Sequence, residues 1–274
     1  MYASRNLERR VPEPNRIPRV LAIAGSDSGG GAGIQADLKA FAAAGVHGMT
    51  AITAITAQNT VGVTAVQTIE PEVIVAQVRA VAEDIGVDAV KIGMLGDAAT
   101  IAAVGAALDL LDPATPVVLD PVMVAESGAE LLAPDARESL VRELVPRVTV
   151  LTPNVPEARM LASDPEGEPD ELARALHGLG PRVVVVTGGH RDDPVDVLYD
   201  GEQLEHIGGP RHPDGASHGS GCTHSSTLAA RLALGDPPRE AARAARAVTA
   251  DAVAHGLRDV GTGAGPVDVL RLRG

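Results

Sequence analysis

The chain has 274 residues, 45% of them hydrophobic, a formal net charge of −13 and one cysteine. That length and apolar content suit one large α/β domain or two small ones with a sizeable core. The acidic balance excludes nucleic acid and anionic membrane as principal partners, and leaves room for a phosphorylated small ligand held by backbone N–H groups.

A single cysteine forbids an intrachain disulfide, which fits a reducing, cytoplasmic compartment. No stretch is apolar and long enough to span a bilayer. Residues 1–18 carry Arg5, Arg9, Arg10, Arg16, Pro12, Pro14 and Pro18 without the apolar run of a signal peptide, and read as a disordered leader. Residues 19–274 read as one domain. Trp is absent and Phe41, Tyr2 and Tyr199 are the only Phe or Tyr residues, so a planar ligand has to rest mostly on aliphatic and Met side chains.

In chain order, Val20–Ala24 reads as a buried strand and 34–44 as a helix stopping at Gly45. Strands follow at 49–56 and 63–69, then a helix from Pro71 to Asp84. A strand at 89–92 precedes a helix at 98–111, and a strand at 116–119 precedes a helix at 134–144. The strand at 148–151 leads into helical material to Leu161 and from Asp170 to Leu179, and 183–186 is the most apolar strand. Segments 195–199 and 202–207 form a hairpin turning at Asp200-Gly201, and two Ala-rich helices start at Cys222 and Arg239. Apolar strands alternating with helices mean βαβ units and a mostly parallel sheet covered on both faces.

Polar and glycine residues gather just after the strands, at the carboxyl edge where open α/β sheets bind ligands. Gly25 to Gly33 lacks the Lys-Ser or Lys-Thr of a Walker loop, since Ile34-Gln35 follows. Gly31-Ala32-Gly33-Ile34-Gln35-Ala36 matches a dinucleotide fingerprint, but the second strand ends in Gln58-Asn59 with no acidic residue. The same loop also reads as a tight turn needing positive φ. Asp37, placed on the first turn of the next helix, suits either a ligand amine or the helix dipole. Gln58 and Asn59 suit a heterocycle edge or a plain turn, and Met94 and Val122 suit the walls of a ring slot or the core. Asn154 and Glu157, spaced i, i+3, suit a hydrated Mg²⁺ or a capping box. Lys91 lies in an apolar strand and needs a partner or a role.

The cysteine lies in His218-Gly219-Ser220-Gly221-Cys222-Thr223-His224, a glycine turn opening a helix. Free N–H groups and the helix dipole make that turn an anion site, and they are expected to lower the thiol pKa. A buried structural cysteine is the other reading. His218 and His224 flank the thiol as in a Cys/His hydrolase, although His224 reads as facing solvent.

These blocks together resemble the bacterial hydroxymethylpyrimidine/phosphomethylpyrimidine kinases of thiamine biosynthesis, the ThiD family. The resemblance is carried by Gly25-Ser26-Asp27, Gly30 to Lys39, Gln58-Asn59-Thr60, Lys91 to Leu95, Asp120 to Met123, Thr152-Pro153-Asn154 with Glu157, Gly188-Gly189-His190 and His218 to Thr223. It covers about residues 19–270. It implies a ribokinase-like three-layer αβα sandwich, a homodimer, and Mg²⁺-ATP as phosphoryl donor. It also implies phosphorylation of 4-amino-5-hydroxymethyl-2-methylpyrimidine and then of its monophosphate.

By the same resemblance, Gly25, Asp37, Gln58, Met94 and Val122 line the pyrimidine pocket. Gly219, Ser220, Gly221 and Cys222 form the anion hole, with Cys222 beside the accepting hydroxyl as a possible proton acceptor. Asn154, Thr187 and Gly189 lie on the ATP side, and Glu157 and Asp120 toward Mg²⁺. The family pattern has Lys where this chain has Thr187, and a hydroxyl donates a hydrogen bond without positive charge. Related pyridoxal kinases carry Thr in that region, which makes pyridoxal kinase the alternative. A nicotinamide oxidoreductase and a non-catalytic pyrimidine-binding homologue are the readings outside the kinases.

Overall fold

The structure, a computed structural model, describes residues 16–125, 128–133, 135–188, 194–213 and 215–272. Of the expected leader, residues 1–15 lie outside that set, and Arg16 to Pro18 already run against the body of the protein. Arg16 pairs with Asp88 at 2.8 Å, and the Pro18 carbonyl accepts the His47 N–H.

The chain opens with β1 (Arg19–Asp27), α1 (Gly33–Ala43), β2 (His47–Gln58), β3 (Val63–Thr68) and α2 (Pro71–Asp84). It continues through β4 (Ala89–Ile92), α3 (Ala98–Leu108), β5 (Val117–Leu119) and α4 (Ala136–Ser139). A π turn and a 3₁₀ turn prolong α4 to Arg147. Then come β6 (Val150–Leu151), α5 (Val155–Ala162), α6 (Pro169–His177) and β7 (Val183–Val186). The hairpin of β8 (Asp196–Tyr199) and β9 (Leu204–Ile207) precedes α7 (Ser220–Ala233) and α8 (Pro238–Ala254).

The helix starts follow from local chemistry. Pro71 begins α2, where its missing N–H costs nothing. The Asp97 side chain caps α3 by accepting the Thr100 N–H at 2.8 Å.

Among the described residues, nine strands form one sheet in the order β3-β2-β1-β4-β5-β6-β7-β8-β9. The ladders from β2 through β7 are parallel, and β3, β8 and β9 are joined by antiparallel pairing. Alternation along β1 divides the core in two. Leu21 and Ile23 face Ile74, Ile101 and Leu172 of α2, α3 and α6. Val20 and Ala22 face Phe41, Leu228 and Ala241 of α1, α7 and α8. The result is a three-layer αβα sandwich, as expected.

β1 pairs with β2 on one side and β4 on the other, so the winding reverses there. The carboxyl ends of β1 and β4 are thus the switch point at which open α/β sheets leave a crevice. β1 also runs farther than the hydrophobic pattern indicates. It continues past Ala24 to Asp27 after a register shift against β2, which places Gly25 in the strand and not in the loop. α7 begins at Ser220, before Cys222. Among the described residues, no helix is long and apolar enough to cross a membrane.

Phe41, the only phenylalanine, is fully buried in the layer of α1, α7 and α8. Phe41→Ala leaves a cavity in that layer and is expected to cost about 3–5 kcal/mol, read as a lower urea midpoint with an unchanged m-value.

Candidate active site

The glycine segment after β1 is wound around its own carboxylate. Asp27 is 2% exposed. Its Oδ1 accepts the Gly29 N–H at 2.8 Å. Its Oδ2 accepts the Gly31 and Ala32 N–H groups at 3.1 and 2.8 Å and lies 3.1 Å from His218 Nε2. Burial alone would raise its pKa, but the His218 and backbone hydrogen bonds outweigh it and leave it lowered. The loop amides are therefore committed to Asp27, which removes the donors that a dinucleotide pyrophosphate needs.

Gly25 presents a bare α-carbon to β4's following loop. A Cβ there would stand 3.0 Å from Met94 Sδ. Gly25 and Met94 are thus brought together at the switch point. Val122 is half-buried just after Asp120, whose carbonyl accepts its N–H at 2.8 Å. Gln58 ends β2 half-buried, with Oε1 accepting from the Thr56 hydroxyl at 3.1 Å. Beside it opens a cleft of about 290 Å³ lined by Gln58, Asn59, Thr60, Val61, His218 and Gly263.

Beneath the crevice lies a buried charge cluster. Lys91 and Asp37 are both 0% exposed, and Lys91 Nζ donates to Asp37 Oδ1 at 2.8 Å. The Ser226 hydroxyl donates to the same oxygen at 2.6 Å, and Asp37 Oδ2 has no hydrogen-bond partner. Asp37 sits in the second turn of α1, so the helix-dipole reading gives way to an ion pair. Burial would lower the Lys91 pKa, but Asp37, the Cys222 sulfur and Asp120 outweigh it and raise it. Burial raises the pKa of both Asp37 and Asp120, with Lys91 opposing. Asp120 Oδ2 accepts from the Ser225 hydroxyl at 2.9 Å.

The anion-hole segment stands directly above. Gly219 caps α7 with φ +82°, and a Cβ on it would overlap the Gly31 carbonyl. Ser220 N–H bonds to the Ser217 carbonyl and Thr223 N–H to the Gly219 carbonyl, both at 2.9 Å. Gly221 and Cys222 hold first-turn positions, whose N–H groups a helix leaves without intrahelical partners. Gly221 is exposed, and a Cβ built on it would stand 3.9 Å from Asp120 Oδ2.

The expected fall in the thiol pKa does not occur. Burial pushes Cys222 up to about 12, with Asp37 and Asp120 adding to it against Lys91 and the Gly33 N–H. Desolvation and two carboxylates outweigh the helix start, so Cys222 is a thiol at neutral pH. The Cys/His pairing does not form either. His218 turns to Asp27, and His224, expected at the surface, is buried with Nε2 3.3 Å from Asp196 Oδ2.

Asn154 and Glu157 make the capping box. Asn154 Oδ1 accepts the Glu157 N–H and Glu157 Oε2 accepts the Asn154 N–H, both at 2.9 Å. Glu157 Oε1 accepts the Met123 N–H at 3.4 Å. Burial and then the Asp120 charge push the Glu157 carboxyl up to about 8. Thr187 bridges to Asn154 and donates its N–H to the Pro153 carbonyl at 2.8 Å, so the strand ends of β6 and β7 meet here. Gly189 lies outside the described residues.

Among the described residues, no three His, Cys, Asp or Glu side chains form a metal cluster. Burial and then the Asp120 charge nevertheless raise the proton affinity of Glu157. Such a carboxylate pair fits a divalent cation that keeps water and phosphate oxygens as its other ligands.

The Phosphomethylpyrimidine kinase family profile matches residues 27–268. A hydroxymethylpyrimidine/phosphomethylpyrimidine kinase from Rhizobium meliloti is 48% identical over 255 residues, covering 90% of this chain and 95% of that protein. The chain belongs to the phosphomethylpyrimidine kinase family.

Among solved structures, a Clostridium difficile phosphomethylpyrimidine kinase is 40% identical with a TM-score of 0.73, covering 84% of this chain and 96% of that one. The ADP complex of a Bacillus subtilis pyridoxal kinase is 38% identical with a TM-score of 0.85, covering 94% and 99%. The fold of this phosphomethylpyrimidine kinase family member is ribokinase-like, and the chain is a kinase.

Sequence reasoning gave no role to Asp27, Asp196, Ser225 or Ser226. The one signal for the serines is the run of hydroxyls Ser225-Ser226-Thr227 before the Ala- and Leu-rich half of the helix.

Glu157 ionises at 4.5 ordinarily and at about 8 in the fold. A raised folded pKa means that the native state holds the proton more tightly. That contribution is complete below pH 4.5 and is lost as pH rises through about 8. Glu157→Gln is therefore expected to flatten the decline of Tm across that window in thermal melts.

Proposed function

We propose that the protein phosphorylates 4-amino-5-hydroxymethyl-2-methylpyrimidine, and then its monophosphate, with Mg²⁺-ATP, giving the pyrophosphate for thiamine biosynthesis. The observation that carries this reading is the start of α7 standing over the switch point. There Gly221 approaches Asp120 while Gly25 and Met94 form an aliphatic slot at the end of β1. An exposed helix start attracts phosphate, and the slot suits a flat ring in a chain with almost no aromatic side chains.

The ring lies against Gly25, Met94 and Val122, with Gln58 as its polar contact, while Asp37, fully buried in its ion pair with Lys91, acts from beneath the pocket. Its hydroxymethyl oxygen attacks the γ-phosphorus in line, the bond to the β–γ bridging oxygen breaks, ADP leaves and the hydroxyl proton is released to water. Such a transfer depends on positioning and electrostatic stabilisation more than on a base. The Gly219 to Cys222 segment stabilises charge on the transferring group. Cys222 lines that hole as a thiol, and its elevated pKa removes it as proton acceptor. Asn154, Thr187 and Gly189 are assigned to ATP, and Asp120 and Glu157 to the hydrated Mg²⁺. When bound, that ion neutralises phosphate charge. We place the enzyme in the cytoplasm as a homodimer, joined through the β2–β3 ribbon where Ile55, Val61 and Val66 are exposed.

A second reading, pyridoxal kinase, is supported by the TM-score of 0.85 with the Bacillus subtilis pyridoxal kinase and by the hydroxyl at Thr187. One assay separates the two: ATP with the hydroxymethylpyrimidine, its monophosphate and pyridoxal as competing acceptors. The first two are expected to be consumed in sequence. Exclusive use of pyridoxal overturns the pyrimidine reading, and turnover of none favours a non-catalytic binding protein.

The anion hole has its own test. Gly221→Pro deletes one N–H at a first-turn position that proline tolerates, where an added Cβ meets nothing nearer than Asp120 Oδ2 at 3.9 Å. It is expected to lower kcat by about 10²–10³-fold, whereas Cys222→Ser stays within about tenfold of wild type, in steady-state assays.

A further inference from the structure

We propose that His218 and His224, the two histidines flanking the cysteine turn, are positioning residues that fix the first turn of α7 between the two substrates. His218 ties it through Asp27 to the acceptor-side loop, and His224 ties it through Asp196 to the ATP-side loop. The assignment of the two sides rests on the kinase reading above.

The acceptor-side tether is closely built. His218 is buried, and its Nε2 lies 3.1 Å from Asp27 Oδ2. Asp27 is in turn gripped by the N–H groups of Gly29, Gly31 and Ala32, so the ring is referred to the whole loop. A Cβ on Gly31 would overlap the imidazole, which leaves the ring no slack on that side. The His218 main chain is held as well, its N–H by the Gly265 carbonyl at 3.2 Å and its carbonyl by the Val267 N–H at 3.1 Å. Gly219 follows, packed on the Gly31 carbonyl, and α7 begins at the next residue. Any shift of the Gly29 to Ala32 loop is thereby passed to the anion hole.

The donor-side tether starts inside the helix. His224 is 4% exposed, and its Nε2 stands 3.3 Å from Asp196 Oδ2, an ion-pair contact that leaves both atoms without a hydrogen bond. The other oxygen, Oδ1, accepts the Gly188 N–H at 3.0 Å. Gly188 directly follows Thr187, and a Cβ on it would overlap the Val195 carbonyl, so the end of β7 and the start of β8 pack closely there. Both rings engage aspartates on opposite sides of α7, and neither is hydrogen-bonded to Cys222 among the described contacts. The helix start is held by two side chains whose partners stand at the ends of different strands, β1 and β8. Misplacement by an ångström at such a position is enough to cost turnover.

The test uses the full chain and variants at each histidine, with ADP and phosphorylated acceptor measured in parallel. In His218→Ala the ratio of ADP to phosphorylated acceptor is expected to rise by about threefold or more as water replaces a misaligned acceptor, with the ATP KM within about twofold of wild type. In His224→Ala the ATP KM is expected to rise by about fivefold or more while the ratio stays at one. His218→Gln and His224→Gln keep an N–H within reach of the aspartate and are expected to restore both values. Where an alanine variant does not fold, His→Asn, one methylene too short, takes its place.

A purely structural role would move Tm and lower both products together. The proposal is overturned if the alanine variants lose ADP and product in step with unchanged KM values. It is also overturned if glutamine fails to restore them. Wild-type protein that phosphorylates pyridoxal alone refutes the pyrimidine reading and leaves this test intact on pyridoxal.

Discussion

One buried ammonium organises the centre of this protein. Lys91 is carried by β4 into a position with no solvent contact, where it must be matched by negative charge. Asp37 of α1 supplies the direct partner, and Asp120 and the Cys222 sulfur lie within its field. Through Ser226 and Ser225, the same carboxylates hold α7. Four elements that are distant in sequence therefore meet at one charge. Removing one partner of such a pair typically costs about 3–5 kcal/mol, because the other is left uncompensated.

That arrangement also sets the chemistry above it. Two carboxylates, Asp120 and Glu157, stand beside the crevice, and burial and then the Asp120 charge raise the Glu157 pKa. A site of this kind stays protonated or accepts a cation. The same charges and the loss of water keep Cys222 a thiol, although its place at a helix start suggests the opposite. Desolvation is felt at full strength in a low-dielectric pocket, whereas the helix end offers only a partial charge. Backbone N–H groups thus remain as the stabilising element for phosphoryl transfer.

Much of the fold was legible in the residues. Strand runs such as Val183–Val186 and helix signals such as Pro71 correspond to β7 and α2, because burial on both faces and proline's restricted φ act locally. The clustering of polar residues after strands located the active edge, since parallel strands bring their carboxyl ends together whatever their order. The residue blocks quoted for the family resemblance were enough to name the family that the comparisons establish.

Partner choice was not legible. Asp37 looked like a dipole or ligand residue, yet its partner is a lysine 54 positions away. His224 looked solvent-facing, yet it meets Asp196 across the donor-side loop. Glycine spacing did not reveal that Gly31 makes room for an imidazole and Gly219 for a carbonyl. By itself the sequence determined the elements, the parallel sheet, the active edge and the family. Tertiary structure alone decided which charges face each other and which groups lose water. Pairing and desolvation depend on long-range packing, while propensity and periodicity are carried by neighbours along the chain.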